Sequence, residues 1–405
     1  MANNNNKDKC NVPHLRFPEF TNEWEKCPLG LIADITKGNG ISKEQLSAQG
    51  IPCILYGELY TKYKSEIITE IYSKTALNPS VLVKSQANDV IIPCSGETAI
   101  DISTARCVPY NNILLGGDLN IIRLKSQDGG FFAYQLNGVR KHDIARIAQG
   151  VSVVHLYGEN LKRIKVCYPS IEEQRKITSL LSLIDERIAT QNKIIEDLKK
   201  LKCAIIESLL NSVRSNEMLL RDVGSYIRGL TYSSNDVVEQ DGILVMRSNN
   251  IVNGSLLDYN NDVVFVRKQM STEQQLQSGD IVICMANGSS SLVGKSSYYD
   301  GMCLSPITVG AFCGIYRSKE PIVKWLFQTS RYRRYILNSL QGGNGAIANL
   351  NGEDILRMSF PIPEKSTLNH STKLLTSLDS LIESNISLCD LYSSQKKYML
   401  RQMFI

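Results

Sequence analysis

The stretch Leu29-Gly30-Leu31-Ile32-Ala33-Asp34-Ile35-Thr36-Lys37-Gly38 recurs 191 residues later as Leu220-Arg221-Asp222-Val223-Gly224-Ser225-Tyr226-Ile227-Arg228-Gly229. The same offset carries Asn88-Asp89-Val90-Ile91-Ile92 onto Gly279-Asp280-Ile281-Val282-Ile283, and further on the offset becomes 194. An internal repeat this long is typical of two folded modules, because the repeats of solenoid proteins run to roughly 20–50 residues.

Each module is followed by a segment whose apolar residues step by four and three, which indicates a coiled-coil seam. Ser170 and Glu173 predict a capping box at the start of the first helix. The first seam consists of Ile177, Leu181, Ile184, Ile188, Gln191, Ile195, Leu198, Lys202, Ile205 and Leu209. The second seam consists of Ser371, Leu375, Leu378, Ile382, Asn385, Cys389, Tyr392, Lys396, Met399 and Met403. The polar members fall at matching places in the two seams, where polar residues fix register at a cost in stability.

The sequence therefore predicts an α+β fold class: two similar α+β modules separated by two long antiparallel coiled-coil helices, with a pseudo-twofold internal repeat. A helix of about 40 residues is about 60 Å long. The predicted bounds are a leader at 1–23, a first module at 24–169, a central spacer helix at 170–212, a second module at 216–363 and a distal spacer helix at 364–405. The apolar end of the second helix is expected to close the helix pair or to meet a partner subunit.

Composition limits the class of protein. The chain has 405 residues, a net charge of +5 and 43% hydrophobic residues, as in an ordinary globular protein with two or three domains. No apolar run approaches the roughly 20 residues that span a membrane, and the Asn-rich start does not resemble a secretory signal. Eleven cysteines without any C-x-x-C pair favour free thiols in a reducing cytoplasm over disulfides or a metal site.

Motifs for catalysis are missing, so neither a catalytic residue nor a cofactor is predicted. Asn78-Pro79-Ser80 lacks the second proline and the aromatic residue of a methyltransferase motif. Gly288 and Gly294 are separated by five residues where a phosphate-binding loop needs four. The four histidines have no cysteine or carboxylate at ligand spacing, and Glu196-Asp197-Lys199 are expected on a solvated helix face.

Two further stretches complete a resemblance to a known family. The opening Val12-Pro13-His14-Leu15-Arg16-Phe17-Pro18-Glu19-Phe20-Thr21-Asn22-Glu23-Trp24 and the junction Tyr168-Pro169-Ser170-Ile171-Glu172-Glu173-Gln174-Arg175-Lys176-Ile177 resemble those of the specificity subunit of type I restriction-modification systems. The order of module, helix, module, helix is also similar to that family's layout. The second junction, Pro361-Ile362-Pro363-Glu364-Lys365-Ser366-Thr367, lacks the E-E-Q of the first, so docking at that end is expected to be weaker or to use other contacts.

The resemblance implies that each module is a target recognition domain reading one half of a split, asymmetric double-stranded DNA sequence, while the helices set the unread gap. It also implies two methyltransferase (modification) subunits docked around the helices and a motor-nuclease (restriction) subunit joining that complex. The chain itself would be a non-catalytic, cytoplasmic DNA-binding subunit that directs DNA methylation and restriction.

Polar loop residues are the candidates for DNA contact, because Lys and Arg position a protein on phosphates while Arg, Asn, Gln, Lys and Ser read base edges. The candidates in the first module are Lys37, Tyr56, Tyr60, Lys62, Lys64, Ser95 and Thr98. Those in the second module are Arg228, Arg247, Ser248, Asn249, Asn250, Asn287, Ser289, Ser290 and Lys295. The competing interpretation is that these are ordinary solvated loop residues.

Three other functions stay open at this point. A pure scaffold, with two protein-binding modules on a coiled-coil strut, predicts no retention on duplex DNA. A stand-alone enzyme is disfavoured by the missing catalytic sets. A specificity subunit whose single partner chain combines nuclease and methyltransferase is separated from the type I system only by the neighbouring genes.

Overall fold

The computed structural model describes residues 11–211, 216–340 and 347–405. The chain divides into two compact units. The first unit comprises Met1–Lys193 and Asn385–Ile405, and the second comprises Ile194–Ser384. Both divisions fall inside the long helices, so each unit contains one α+β module together with part of each helix.

The strands in the described part of the first unit are β1 Glu25–Pro28, β2 Ala33–Lys37, β3 Leu46–Ile54, β4 Ser73–Thr75, β5 Asp89–Pro93, β6 Ser95–Gly96, β7 Arg106–Val108, β8 Leu114–Leu115, β9 Leu119–Leu124, β10 Val154–His155 and β11 Lys165–Tyr168. Its shorter helices are α1 Leu29–Ile32, α2 Glu58–Thr61, α3 Ala99–Ile102, α4 Gly129–Asn137, α5 Lys141–Ile147 and α6 Gly158–Leu161. The central sheet has the order β2-β9-β5-β7, beside a β4-β3-β8 sheet and the pairs β1-β11 and β6-β10. Strand β5 is buried along its whole length, which explains its continuous apolar run.

The second unit repeats this plan. Its strands are β12 Asn216–Leu219, β13 Gly224–Arg228, β14 Val237–Val238, β15 Ile243–Met246, β16 Val264–Val266, β17 Ile281–Cys284, β18 Ala286–Asn287, β19 Ser296–Tyr298, β20 Ile307–Val309, β21 Cys313–Ser318, β22 Ala348–Asn349 and β23 Ser359–Ile362. Its shorter helices are α8 Leu220–Val223, α9 Val323–Leu326, α10 Ser330–Ser339 and α11 Gly352–Leu356. The sheet orders β13-β21-β17-β19, β14-β16-β15-β20, β12-β23 and β18-β22 correspond to those of the first unit, so the predicted α+β repeat is confirmed.

The long helices are α7, Ile171–Asn211, and α12, Lys365–Gln402. Within the first unit the Gln191 amide nitrogen donates to Asn385 Oδ1, and Lys396 Nζ lies 2.5 Å from Asp185 Oδ1. The contacts move back along α7 as they move forward along α12, so the helices run antiparallel there. In the second unit, Lys202 Nζ lies 2.9 Å from Asp379 Oδ1. All twenty predicted seam positions are buried or half-buried.

The polar seam lysines carry buried ion pairs at equivalent positions of the repeat. In the first unit Lys396 meets both Asp185 and Glu66, each at 2.5 Å. In the second unit Asp379 meets both Lys202 and Lys324, each at 2.9 Å. Each of these groups of three charged side chains is called a hub below. In the first unit the hub is a lysine between two carboxylates, and in the second it is a carboxylate between two lysines.

An aromatic side chain completes each hub. Tyr134 donates its hydroxyl to Asp185 Oδ2 at 2.7 Å, and at the equivalent place the Trp325 indole donates to Asp379 Oδ2 at 3.0 Å. Burial, and then the negative charge of Glu66, raise the pKa of Asp185. Burial acts to raise the pKa of Glu66 as well, but Lys396 and Arg106 outweigh it and the net shift is downward. Each hub ties both long helices to the module of its own unit.

The end of the chain packs into the core of the first unit. Met403 and Phe404 are buried together with Trp24 and Phe131. The Phe404 ring centroid lies 5.1 Å from that of Phe131 and 6.3 Å from that of Trp24. The Arg140 guanidinium donates to the Ile405 carbonyl at 2.7 Å. The apolar end therefore fills a core within this unit.

The predicted capping box at α7 is half wrong. Ser170 Oγ accepts from the Glu173 backbone nitrogen at 3.5 Å, as expected of an N-cap. The Glu173 carboxylate, however, accepts two hydrogen bonds of 2.7 Å from Arg16 and one of 3.3 Å from the Trp24 indole. A buried carboxylate needs charged and hydrogen-bonding partners, and the segment before β1 supplies them.

Candidate nucleic-acid interface

Helix α2 positions four of the first unit's candidates. Tyr56 and Tyr60 are half-buried, whereas Lys62 and Lys64 are exposed. The buried Glu58 carboxylate accepts from the Leu55 backbone nitrogen at 3.0 Å and from Lys62 Nζ at 2.6 Å. The Lys62 ammonium is thus tethered to the helix, while Lys64 Nζ donates to the Thr61 carbonyl at 3.4 Å.

Arg106 on β7 holds the backbone of this α2 loop. Its guanidinium is buried and donates to the Leu59 carbonyl at 3.0 Å and to the Tyr63 carbonyl at 2.8 Å. At the equivalent position on β19, Ser297 accepts from the Val252 backbone nitrogen at 2.7 Å and donates to the Val252 carbonyl at 2.9 Å. A residue of the edge strand therefore anchors the equivalent loop in both units.

The turn after β5 meets the α2 loop. The Tyr60 hydroxyl comes within 3.7 Å of the point where a Cβ on Gly96 would lie, so the two loops are neighbours. Thr98 is exposed and accepts from the Asp101 backbone nitrogen at 3.1 Å, which caps α3. Ser95 is buried, so its side chain is not presented to solvent.

Lys37 and Arg228 end equivalent strands, β2 and β13, and both are exposed. Each is followed by a glycine that approaches a neighbouring backbone closely. A Cβ on Gly38 would overlap the Gly116 carbonyl oxygen, and a Cβ on Gly229 would overlap that of Gly310. The matched turn therefore requires glycine and holds the preceding cation at the end of its sheet.

In the second unit the loop after β15 forms its own ion-paired cluster. Arg247 donates to Asp262 Oδ1 at 2.8 Å, and the Asn249 amide also donates to the Asp262 carboxylate. Asn250 is buried; it accepts from the Arg247 backbone nitrogen and donates to the Asn261 carbonyl, both at 2.8 Å. The Asn250 side chain is thus engaged within the loop, whereas Asn249 is exposed and Arg247 is half-buried.

The turn after β17 meets this second loop. The Asn287 amide lies 3.4 Å from Ser248 Oγ. Gly57 and Gly96 stand at the positions equivalent to Ser248 and Asn287 in the first unit. The same pair of loops therefore meets in both units, with different side chains at the junction.

The segment from Gly288 to Lys295 projects from β18 and carries three more candidates. Ser289 and Ser290 are exposed and Lys295 is half-buried. Arg333 on α10 donates to the Val293 carbonyl at 2.6 Å and to the Ser291 carbonyl at 3.3 Å. Asn287 Oδ1 accepts from the Ser289 backbone nitrogen at 3.0 Å. These contacts hold the segment between β18 and α10.

Several positioning residues were missed from the sequence: Arg106, Asp262, Ser297 and Arg333. No local pattern marks them, because each acts on a loop that is distant in the chain. Within the described residues there is no group of three or more His, Cys, Asp or Glu side chains placed to hold a metal ion. Among those same residues, no helix is long and apolar enough to cross a membrane.

The chain is similar to known proteins in sequence and in fold. Residues 21–200 match the type I restriction modification DNA specificity domain. The specificity subunit of the EcoKI type I restriction enzyme of Escherichia coli K12 is 32% identical over 170 residues, which cover 39% of this chain and 35% of that protein. The match thus spans about a third of that relative's length. The MjaVIII specificity subunit of Methanocaldococcus jannaschii is 23% identical over 397 residues, or 91% of this chain and 88% of that protein.

A solved structure shows the same fold over almost the whole chain. The S subunit of a type I restriction-modification system from M. genitalium superposes with a TM-score of 0.64 and 16% identity, covering 97% of this chain and 99% of that one. The resemblance seen in the opening segment and the helix junction is thereby confirmed. Residues 21–200 are therefore similar to a type I restriction modification DNA specificity domain, and the chain as a whole has the fold of a type I S subunit.

Proposed function

We propose that this chain is the non-catalytic DNA-specificity subunit of a type I restriction-modification complex and reads a bipartite, asymmetric target in double-stranded DNA. The observation that carries the proposal is the pair of loops that meets at the same place in both units. One junction presents Tyr60 beside Gly96, and the other presents Ser248 beside Asn287. Two readers of unlike half-sites need the same scaffold with different side chains at the contact surface.

The exposed members of the candidate set, together with the half-buried Arg247, supply the proposed contacts. Lys37, Lys62, Lys64 and Thr98 serve the first half-site, and Arg228, Arg247, Asn249, Ser289 and Ser290 serve the second. The proposal omits the side chains of Ser95 and Asn250 because both are buried. The two target recognition domains would span 24–169 and 216–363, with the spacer helices setting the distance between half-sites.

Methyltransferase subunits would dock on the outer faces of the long helices. In the first unit, α12 exposes Leu388, Leu391 and Tyr398, which share one face because they are three and seven residues apart. In the second unit, α7 exposes Ile194 and Leu201, also seven residues apart. A second apolar seam on the outside of a coiled coil is typical of a helix that packs against further helices. The motor-nuclease subunit would join through this complex, in the cytoplasm where the DNA lies.

Base methylation across a genome tests the proposal. Single-molecule sequencing is compared between cells that express the cognate methyltransferase with this chain and cells that express it alone. We expect one split motif to be methylated only when the chain is present. If the same methyltransferase works with another specificity subunit but produces no motif with this chain, the proposal is wrong and a two-module scaffold replaces it.

Replacing Arg247 with alanine should weaken binding to the target duplex by about 1–3 kcal/mol and relax specificity at one position of one half-site. Its guanidinium is held by Asp262 and stays partly open to solvent, as a base-reading group requires. The measurement is fluorescence anisotropy with the target duplex and with each single-base-pair variant of it.

Arg221→Ala is the matched control, since Arg221 is an exposed arginine of the same unit that pairs with the exposed Glu353. We expect it to leave both affinity and specificity unchanged. An equal loss of affinity on every sequence would make Arg247 a phosphate contact, and an unaltered affinity would remove it from the interface.

A further inference from the structure

The two-stranded sheet β6–β10 joins the candidate turn after β5 to a loop at residues 149–153. Val154 pairs with Gly96, and His155 pairs with Ser95. The Gln149 and His155 backbones exchange two hydrogen bonds, of 2.9 and 2.7 Å, which close the loop at its base. The loop is therefore held next to a turn that the proposed function already uses.

Two of the exposed side chains of this loop are apolar, although the loop also exposes Gln149 and Ser152. Val151 is 98% exposed and Val153 is 52% exposed. Strand β2 ends near this loop: Lys37 pairs in the sheet with Asn120, whose amide donates to the Leu156 carbonyl at 2.9 Å. The candidate lysine at the end of β2 and the exposed valines thus belong to the same part of the unit.

The second unit repeats the feature at the equivalent position. Ile347 precedes β22 as Val153 precedes β10, and it is 54% exposed. Strand β22 pairs with β18, so that Ala348 faces Asn287. The residues after the two strands differ: Tyr157 is exposed, whereas its equivalent Asn351 caps α11. What the two copies share is an exposed, branched aliphatic side chain beside the polar turn.

We propose that Val153 and Ile347 each contact the 5-methyl group of a thymine in the major groove and so determine one base of each half-site. This inference rests on the proposed function, because it assumes that the neighbouring polar turns face DNA. The methyl group is the apolar feature of the major-groove edges, and aliphatic side chains read it by contact.

Selection from a random duplex pool tests the inference with the full-length chain. The wild-type chain is expected to select two half-sites, each containing one thymine preference that depends on these residues. Val153→Ser should abolish that preference in one half-site and leave the other intact. Ile347→Ser should produce the reciprocal result. Because both residues are exposed, the thermal unfolding of the variants should match that of the wild type.

Deoxyuridine isolates the methyl group itself. Replacing the thymine in question by deoxyuridine should weaken wild-type binding about fourfold, the loss expected for one buried methyl group. The Val153→Ser chain should bind the two duplexes equally. Leu31→Ser is the control, since Leu31 is exposed in the same unit. It lies in α1, just before β2 begins, whereas Lys37 lies where β2 ends. It should retain the fourfold difference.

The outcomes separate the two proposals. If the wild-type chain selects no half-site, the proposed function fails and this inference fails with it. If it selects both half-sites and the two serine variants select the same bases, only this inference is overturned. Variants that keep their DNA preference but lose the methyltransferase during purification would also overturn it, because the residues would then contact protein.

Discussion

Replacing Asp379 with alanine should destabilise the second unit by about 3–5 kcal/mol, because it leaves a buried ammonium without its counter-charge. Asp379 and Lys202 are both less than 8% exposed. Without the carboxylate, Lys202 Nζ keeps only the Gly254 carbonyl, at 3.3 Å. The Trp325 indole, which is fully buried, loses its acceptor as well.

Hydrogen exchange read by mass spectrometry measures this effect in each unit separately. Amides of β17 and β21 should lose protection, while those of β5 and β9 in the first unit should change little. Lys202→Met should cost less than Asp379→Ala, because Asp379 then keeps Lys324 and Trp325. An equal loss from both variants would show that the carboxylate is not the hub.

Lys200→Met is the matched control on the same helix. Lys200 pairs with Glu196, but both side chains are about two-thirds exposed, and exposed ion pairs contribute little to stability. In the first unit the expected order is reversed. Lys396→Met should cost more than Asp185→Asn, because the lysine there serves two buried carboxylates.

The sequence predicts the parts of these hubs that depend on periodicity. The shared register of the two seams predicts that Lys202 and Lys396 lie at equivalent positions and interrupt an otherwise apolar seam. The register does not predict the partners of these lysines, because Asp185 and Asp379 lie one residue beyond seam positions, where solvated charges are expected. Glu66 and Lys324 come from the modules, and only folding brings them to the helices.

The candidate interface divides in the same way. The offset of the repeat correctly places the α2 loop opposite the loop that begins at Arg247, since both follow equivalent strands. Whether two loops meet depends on sheet pairing between distant segments. The contacts of Tyr60 with Gly96 and of Ser248 with Asn287 therefore could not be predicted from the sequence. The burial of Asn250 was missed for a related reason: an Asn-rich loop looks polar whether its amides face water or cap the loop itself.

Phe404→Ala should destabilise the first unit by about 3–5 kcal/mol, the usual cost of deleting a fully buried aromatic ring. The ring packs against those of Trp24 and Phe131, which also contact each other, and close-packed cores tolerate such a loss of volume poorly. The end of α12 and the segment before β1 meet here, since the Leu15 backbone nitrogen donates to the Gln402 carbonyl at 2.9 Å. The first target recognition domain would thus depend on the end of the chain for its core.

Tyr398→Ala is the control, because Tyr398 lies near the end of the same helix, α12, and is 60% exposed. Protection of β5 and β9 amides should fall in the Phe404 variant and stay unchanged in the Tyr398 variant. The β17 and β21 amides of the second unit should be unaffected in both. If Phe404→Ala leaves the first unit's protection intact, the aromatic cluster does not hold that core together. If it lowers protection equally in both units, unfolding is cooperative across the whole chain, and the two modules cannot lose their half-sites independently.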